Sequence, residues 1–232
     1  MEHLTIYHMH EIPKTSVSPN FAIQHGCNYR MDGQWDNTIN TPLEFVVNPT
    51  GSGLTADEVI DIFDTAAAII HDTVPKLNRR LTFHHLAHDT DYTPSLHKQP
   101  NITRVMDKVN QIGFSPRAVI CDTHTVIAEA YAVKNRDTRN YIECDIALAT
   151  DANVHWSHLP NGQSGNPNHW RHDHSMGFDT VSTALWALGH CLGLGPTDAH
   201  THTMHGGSAR GTFHKRSLEC GDVNGLKSIY GR

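Results

Sequence analysis

Apolar residues recur at three- and four-residue steps after Thr55: Val59, Ile62, Phe63, Ala66, Ala67 and Ile70. That spacing puts them on one face of a helix and predicts helix from Ala56 to about Asp72. Thr55-Ala-Asp-Glu58 has the form of a capping box, in which hydroxyl and carboxylate satisfy each other's orphan amides. Pro75 ends the run. A second helix is predicted from Thr180 to Leu192, with Asp179 as its cap and Gly193 as a left-handed stop. A third falls within Ser217 to Gly231, with Val223, Leu226, Ile229 and Tyr230 as its apolar side.

Shorter apolar runs between turn-forming residues predict strands at Leu43 to Val47, Leu81 to Phe83, Ala118 to Cys121, Val126 to Val133 and Tyr141 to Leu148. Residues 1–40 are polar and broken by Pro13, Pro19, Gly26 and Gly33, and read as an extension with little core of its own. Residues 88–101 are loop-like. Asn153 to Phe178, rich in Gly, Pro, Asn and His, is a long irregular connection of the kind that binds something or moves. One helix among strands, followed by two more helices, predicts an α+β domain over residues 41–232.

The second helix carries the chemistry in question. In the zinc-protease pattern H-E-x-x-H-x-x-G-x-x-H, two imidazoles one turn apart share a helix face and a metal, and the glutamate between them works on metal-bound water. Laid on Ser182 to Pro196, the pattern finds His190 and Gly193 in place. Trp186 stands at the first histidine, Ala187 at the glutamate and Pro196 at the third histidine. An indole has no lone pair for a metal, alanine is no base, and a proline ring cannot ligate.

Other segments extend the likeness. Asn48-Pro49 ahead of the capped helix, Ile142 to Asn153 with Trp156, Phe178-Asp-Thr-Val181, Thr203-Met-His-Gly206 and Arg216 to Gly231 follow one another in an order that resembles the matrixin branch of the metzincin zinc proteases. The resemblance covers about residues 41–231. It implies a twisted, mostly parallel sheet of about five strands with three helices and an active-site cleft above the second helix. It also implies a zinc endopeptidase, hydrolysing peptide bonds with metal-activated water, secreted and acting on a protein or peptide. His190 matches the second zinc ligand and Met204 the residue beneath the metal, the Met-turn. No catalytic side chain is intact, because the general-base position is Ala187.

Asp198, His200 and His202 follow Pro196 and offer replacement zinc ligands beside His190, with Glu219 or Asp179 as a substitute base. Against this stands a buried, hydrogen-bonded His190 packed under Trp186. Matrixin folds carry calcium, so Glu129 and Asp145 are candidate calcium ligands by the same resemblance. His85 with His88, and His172 and His174 around Asp173, are further pairs for surface metal. Three functions compete: a metallopeptidase with rearranged ligands, a non-catalytic binding module on the same scaffold, and a histidine-rich metal-binding protein.

Composition narrows the partners. A net charge of -6, with no basic run longer than Asn78-Arg-Arg80 or His214-Lys-Arg216, argues against nucleic acid. No segment has the ~18 apolar residues of a membrane span, and Met1 to His10 lacks the apolar run of a signal peptide. The five cysteines, Cys27, Cys121, Cys144, Cys191 and Cys220, are scattered without a C-x-x-C pair. They suggest neither a disulfide framework nor a thiolate site, and Cys144 and Cys191 read as small buried apolar groups.

Overall fold

The computed structural model describes residues 2–12, 27–39, 41–77, 80–85, 108–115, 120–121, 124–150, 154, 156–157, 177–200 and 202–231. In chain order they form β1 (Glu2–Glu11), β2 (Leu43–Val47), α1 (Ala56–Thr73), β3 (Leu81–His85), β4 (Asn110–Ser115), β5 (Ile120–Cys121) and β6 (His124–Asn135). There follow β7 (Tyr141–Ala149), β8 (Trp156–Ser157), β9 (Phe178–Asp179), α2 (Thr180–Cys191), β10 (Gly207–Ser208) and α3 (Cys220–Tyr230). The chain is α+β, with three helices and a mixed sheet.

That sheet is larger and less parallel than expected. It has eight strands in the order β10-β1-β6-β7-β4-β2-β3, with β5 paired to β6. β1–β10, β2–β3, β2–β4 and β4–β7 are parallel, whereas β1–β6, β5–β6 and β6–β7 are antiparallel. Strands β8 and β9 form a separate parallel pair.

Of the strands the apolar pattern did not predict, the two longest, β1 and β4, escaped for physical reasons. The supposed N-terminal extension supplies β1, which lies inside the sheet and pairs with β6 from Glu2 opposite Asn135 to Met9 opposite Ala128. Its side chains alternate between a buried face bearing Tyr7 and Met9 and an outer face where Leu4 and Ile6 stay exposed. Apolar residues on both faces hide the two-residue period that marks a half-buried strand. β4 opens with Asn110 and Gln111 and contains Gly113, so polarity concealed it. Asn110 is nonetheless buried at 8% exposure, and its amide donates to Glu44 O while its carbonyl accepts from Cys144 N.

Helix α1 forms as the sequence dictates. Thr55 Oγ1 accepts from Glu58 N and Glu58 Oε2 accepts from Thr55 N, so the capping box is complete. Val59, Ile62, Phe63, Ala66, Ala67 and Ile70 are all buried. Helix α3 turns Leu226 and Tyr230 inward as expected, but its buried side is shifted towards its glycines. Gly221, Asp222, Gly225, Leu226 and Tyr230 are buried, whereas Val223 and Ile229 are only half-buried.

The cysteines also depart from expectation. Cys27 bonds to Cys220 and Cys144 to Cys191, closing separations of 193 and 47 residues. No local motif announces a pair so distant in sequence. Cys144 and Cys191 are buried as expected, but as a covalent tie between β7 and the last residue of α2. Such a tie stabilises by about 2–4 kcal/mol. Among the described residues no helix is long and apolar enough to cross a membrane.

Candidate functional site

Helix α2 begins where Asp179 accepts a hydrogen bond from Ser182 N at 2.8 Å, and Arg216 clamps the same carboxylate from the other side. Every residue from Thr180 to Cys191 is buried. The helix stops at Gly193, whose φ of +105° suits glycine, and a side chain there would overlap the carbonyl of Gly33. That close approach seats the segment Arg30 to Gln34 against the turn after α2. Asp32 N donates to Gly193 O and Gly195 N donates to Arg30 O, both at 2.8 Å, with Met31 bridged to Leu194 between them.

His190 lies beneath this segment at 1% exposure. The Tyr7 ring stacks on it at 4.1 Å between centroids and 7° between planes. Trp186 meets it edge-on at 4.7 Å and 83°. His190 Nδ1 sits 2.7 Å from Leu194 O, so that nitrogen carries the proton and donates. Burial pushes the imidazole down to about 4 and keeps it neutral near pH 7. Trp186 is fully buried, and its indole N–H has no partner among the described residues, so it acts as packing volume.

A polar network continues outward from the stack. The Tyr7 hydroxyl donates to Asp32 Oδ2 at 3.0 Å and lies 3.5 Å from the Tyr141 hydroxyl. Arg30 Nε donates to Asp32 Oδ1 at 2.7 Å, and Lys134 Nζ to Asp32 O at 2.9 Å. Burial raises the Tyr7 phenol above its ordinary value and Tyr141 to about 12. Both therefore stay protonated at neutral pH, and neither is a base there.

The remaining candidate residues diverge. Met204 is buried against Gly189, where any methyl group would collide with the Met204 thioether. Pro196 and Asp198 are exposed. His200 is also exposed and meets the ring of His205 at 4.4 Å. His202 turns inward to 4% exposure and packs on Gly221 of α3. The alternation expected to bring His200 and His202 to one side instead sends one outward and one into the core.

Of the two substitute bases, Asp179 is committed elsewhere, capping α2 and holding Arg216. Glu219 opens α3, where its backbone N donates to Asp222 and its carboxylate meets Ser217 Oγ at 3.5 Å. Glu129 is buried with the His8 ring at 2.8 Å and the Tyr131 hydroxyl on its carboxylate. Asp145 accepts from Gln111 N at 3.0 Å. His85 is exposed at the end of β3. His88, His172, Asp173 and His174 lie outside the described residues.

Among the described residues, the candidates do not come together as a ligand set for a zinc or a calcium ion. Tyr7 covers one face of His190, an indole fills the position one helical turn before it, and the replacement donors point apart. Among the described residues no group of three or more His, Cys, Asp or Glu side chains could hold a metal ion.

The structure adds residues that the sequence concealed. Lys215, in a run that reads as a short basic patch, is 2% exposed, and its Nζ donates to His205 O and Gly207 O, both at 2.6 Å. Burial lowers the amine to about 7, and burial beside Lys215 lowers His205 and His214 to about 4 each. On the sheet, a groove of about 290 Å³ is lined by Trp35, Leu43, Val46, Lys108, Asn110 and Ile142 among others. Comparison with known proteins finds no matching family and no matching curated protein.

Proposed function

We propose that this chain is a non-catalytic module on a matrixin-like scaffold, and that it binds a protein or peptide without hydrolysing it. The observation that carries this reading is the state of His190. The one imidazole that survives from the protease pattern is held between Tyr7 and Trp186 with Nδ1 spent on Leu194 O. A hydrolytic site needs a base that reaches an attacking water and a place for the substrate carbonyl. Ala187 supplies no base, and Arg30 to Gln34 occupies the space beyond the helix end.

The metzincin-like fold belongs to this proposal. Its support is the order of segments in the sequence, the capped α1, the position of Met204 against α2 and the final helix α3. Support for a peptide partner comes from the groove near β2 and β4, where apolar Trp35, Val46 and Ile142 lie beside Glu44 and Lys108. That mixture suits a side chain with an apolar stem and a polar end. The two disulfides support an oxidising, secreted setting.

The test is zinc content together with peptide cleavage, measured on protein purified without a histidine tag. The expected result is no stoichiometric zinc and no cleavage sensitive to a chelator. One tightly held zinc per chain with chelator-sensitive cleavage would overturn the proposal.

A further inference from the structure

The two disulfides differ in exposure and in what they hold. Cys144 and Cys191 are buried at 0% and 1%, whereas Cys27 and Cys220 both face solvent. The exposed bond ties the front of a strap, Cys27 to Trp35, to the first residue of α3. Just behind it, the strap lies in a groove made by missing side chains. Gly221 and Gly225 stand one turn apart on the buried side of α3. A methyl on Gly221 would overlap the carbonyl of Asn28, and one on Gly225 would press on Tyr29 at 3.3 Å and on Leu194. The strap then pairs as an extended strand with Gly193 to Gly195.

The rear of the strap is held independently of the disulfide. Trp35 Nε1 donates to Cys191 O at 2.8 Å, Trp35 N to the Tyr230 hydroxyl at 3.2 Å, and Tyr141 N to Gln34 O at 2.6 Å. Asp32 is likewise held without the disulfide, by the Tyr7 hydroxyl and Lys134 Nζ, whereas Cys27 to Met31 is exposed throughout.

We infer that the Cys27–Cys220 disulfide is a thiol-operated latch, and that its reduction frees the strap front, Cys27 to Met31, from the Gly221–Gly225 groove and from the backbone of Gly195. The step requires an external thiol reductant. Its thiolate attacks one sulfur of the exposed bond, the S–S bond breaks, and the departing cysteine takes a proton. A second thiol resolves the mixed disulfide, so two electrons and two protons pass to Cys27 and Cys220 while the reductant becomes a disulfide. The buried pair is shielded from the same attack, because exchange requires access to a sulfur. Opening exposes a glycine-floored groove and an unpaired backbone edge, a surface suited to an extended peptide. The latch does not depend on whether His190 binds metal.

The test titrates the native, oxidised protein with a small dithiol at neutral pH, then traps thiols by alkylation and maps them by mass spectrometry. Cys27 and Cys220 are expected to label first, with Cys144 and Cys191 labelling only on unfolding. At the intermediate stage, NMR hydrogen exchange at the amide of Gly195 is expected to quicken about tenfold or more, as for a locally opened segment. Exchange at Asp32 N, at Tyr141 N and within α2 is expected to stay unchanged. A C27S/C220S variant should show the same acceleration without any thiol. Simultaneous reduction of both disulfides, or unchanged exchange at Gly195 in the singly reduced protein or the variant, would overturn the latch.

Discussion

Helices α1 and α2 pack against each other, yet only one keeps a wet side. Of the 18 residues of α1, six are buried in the core and the opposite face carries Asp57, Glu58, Asp61 and Asp64. All 12 residues of α2 are buried. An amphipathic helix needs only one apolar stripe, so α1 tolerates change over half its circumference. A helix buried all round tolerates little, and a buried polar group in it must find a partner. His190 does so at Leu194 O. The helix whose sequence pattern suggested chemistry is thus the one the fold buries on every side.

The sharpest way to break this comparison is to put the pattern's missing carboxylate back. Ala187→Glu buries a charge without a partner and is expected to cost on the order of 5 kcal/mol, enough to unfold a domain of ordinary stability. Ala68→Glu on the exposed side of α1 is expected to stay within about 0.5 kcal/mol. Urea denaturation of both variants measures the contrast, and equal effects would erase it. Next in size, Trp186→Ala removes the largest fully buried side chain and should cost about 3–5 kcal/mol by the same measurement.

A smaller effect follows from acid. Burial lowers His190 from 6.5 to about 4, so the unfolded chain binds a proton below pH 6.5 that the folded chain refuses until about pH 4. Stability therefore falls as pH drops through that window, and His190 alone contributes about 2 kcal/mol of loss between pH 7 and pH 5. His205 and His214 act with the same sign. Lys215 extends the trend upward: lowered by burial to about 7, it makes stability rise with pH from about 7 towards 10. Unfolding midpoints of wild type and a His190→Phe variant across pH 4–7 isolate the histidine, whose removal should flatten the acid limb. A smaller loss belongs to the cap of α1, where Thr55→Ala breaks the capping box and is expected to cost about 1 kcal/mol.

Much of this fold was legible wherever one periodicity dominated. The caps of α1 and α2, the stop at Gly193 and the strands β2, β6 and β7 follow from apolar spacing and turn residues. Legibility failed where burial came from both faces or from partners far along the chain. β1 hides because Leu4 and Ile6 interleave with Tyr7 and Met9. The inward face of α3 hides because Gly221 and Gly225 are buried by the strap rather than by their own hydrophobicity. At the candidate site, the sequence showed His190 and Gly193 on their places in the protease pattern and Trp186, Ala187 and Pro196 at its other positions. It held no sign that Tyr7, about 180 residues earlier, would cover the imidazole, since only the β1–β6 pairing brings it there. Lys215 was equally hidden, because a basic run on paper carries no mark of the two carbonyls that receive its amine.

The most direct test of the central claim, that His190 is a core residue and no metal ligand, is an NMR zinc titration that follows the ring nitrogens of the ¹⁵N-labelled histidines. His190 is expected to keep a protonated Nδ1 and unchanged ring shifts through one equivalent of zinc. A stoichiometric shift at His190 Nε2, saturating at one zinc per chain, would contradict it.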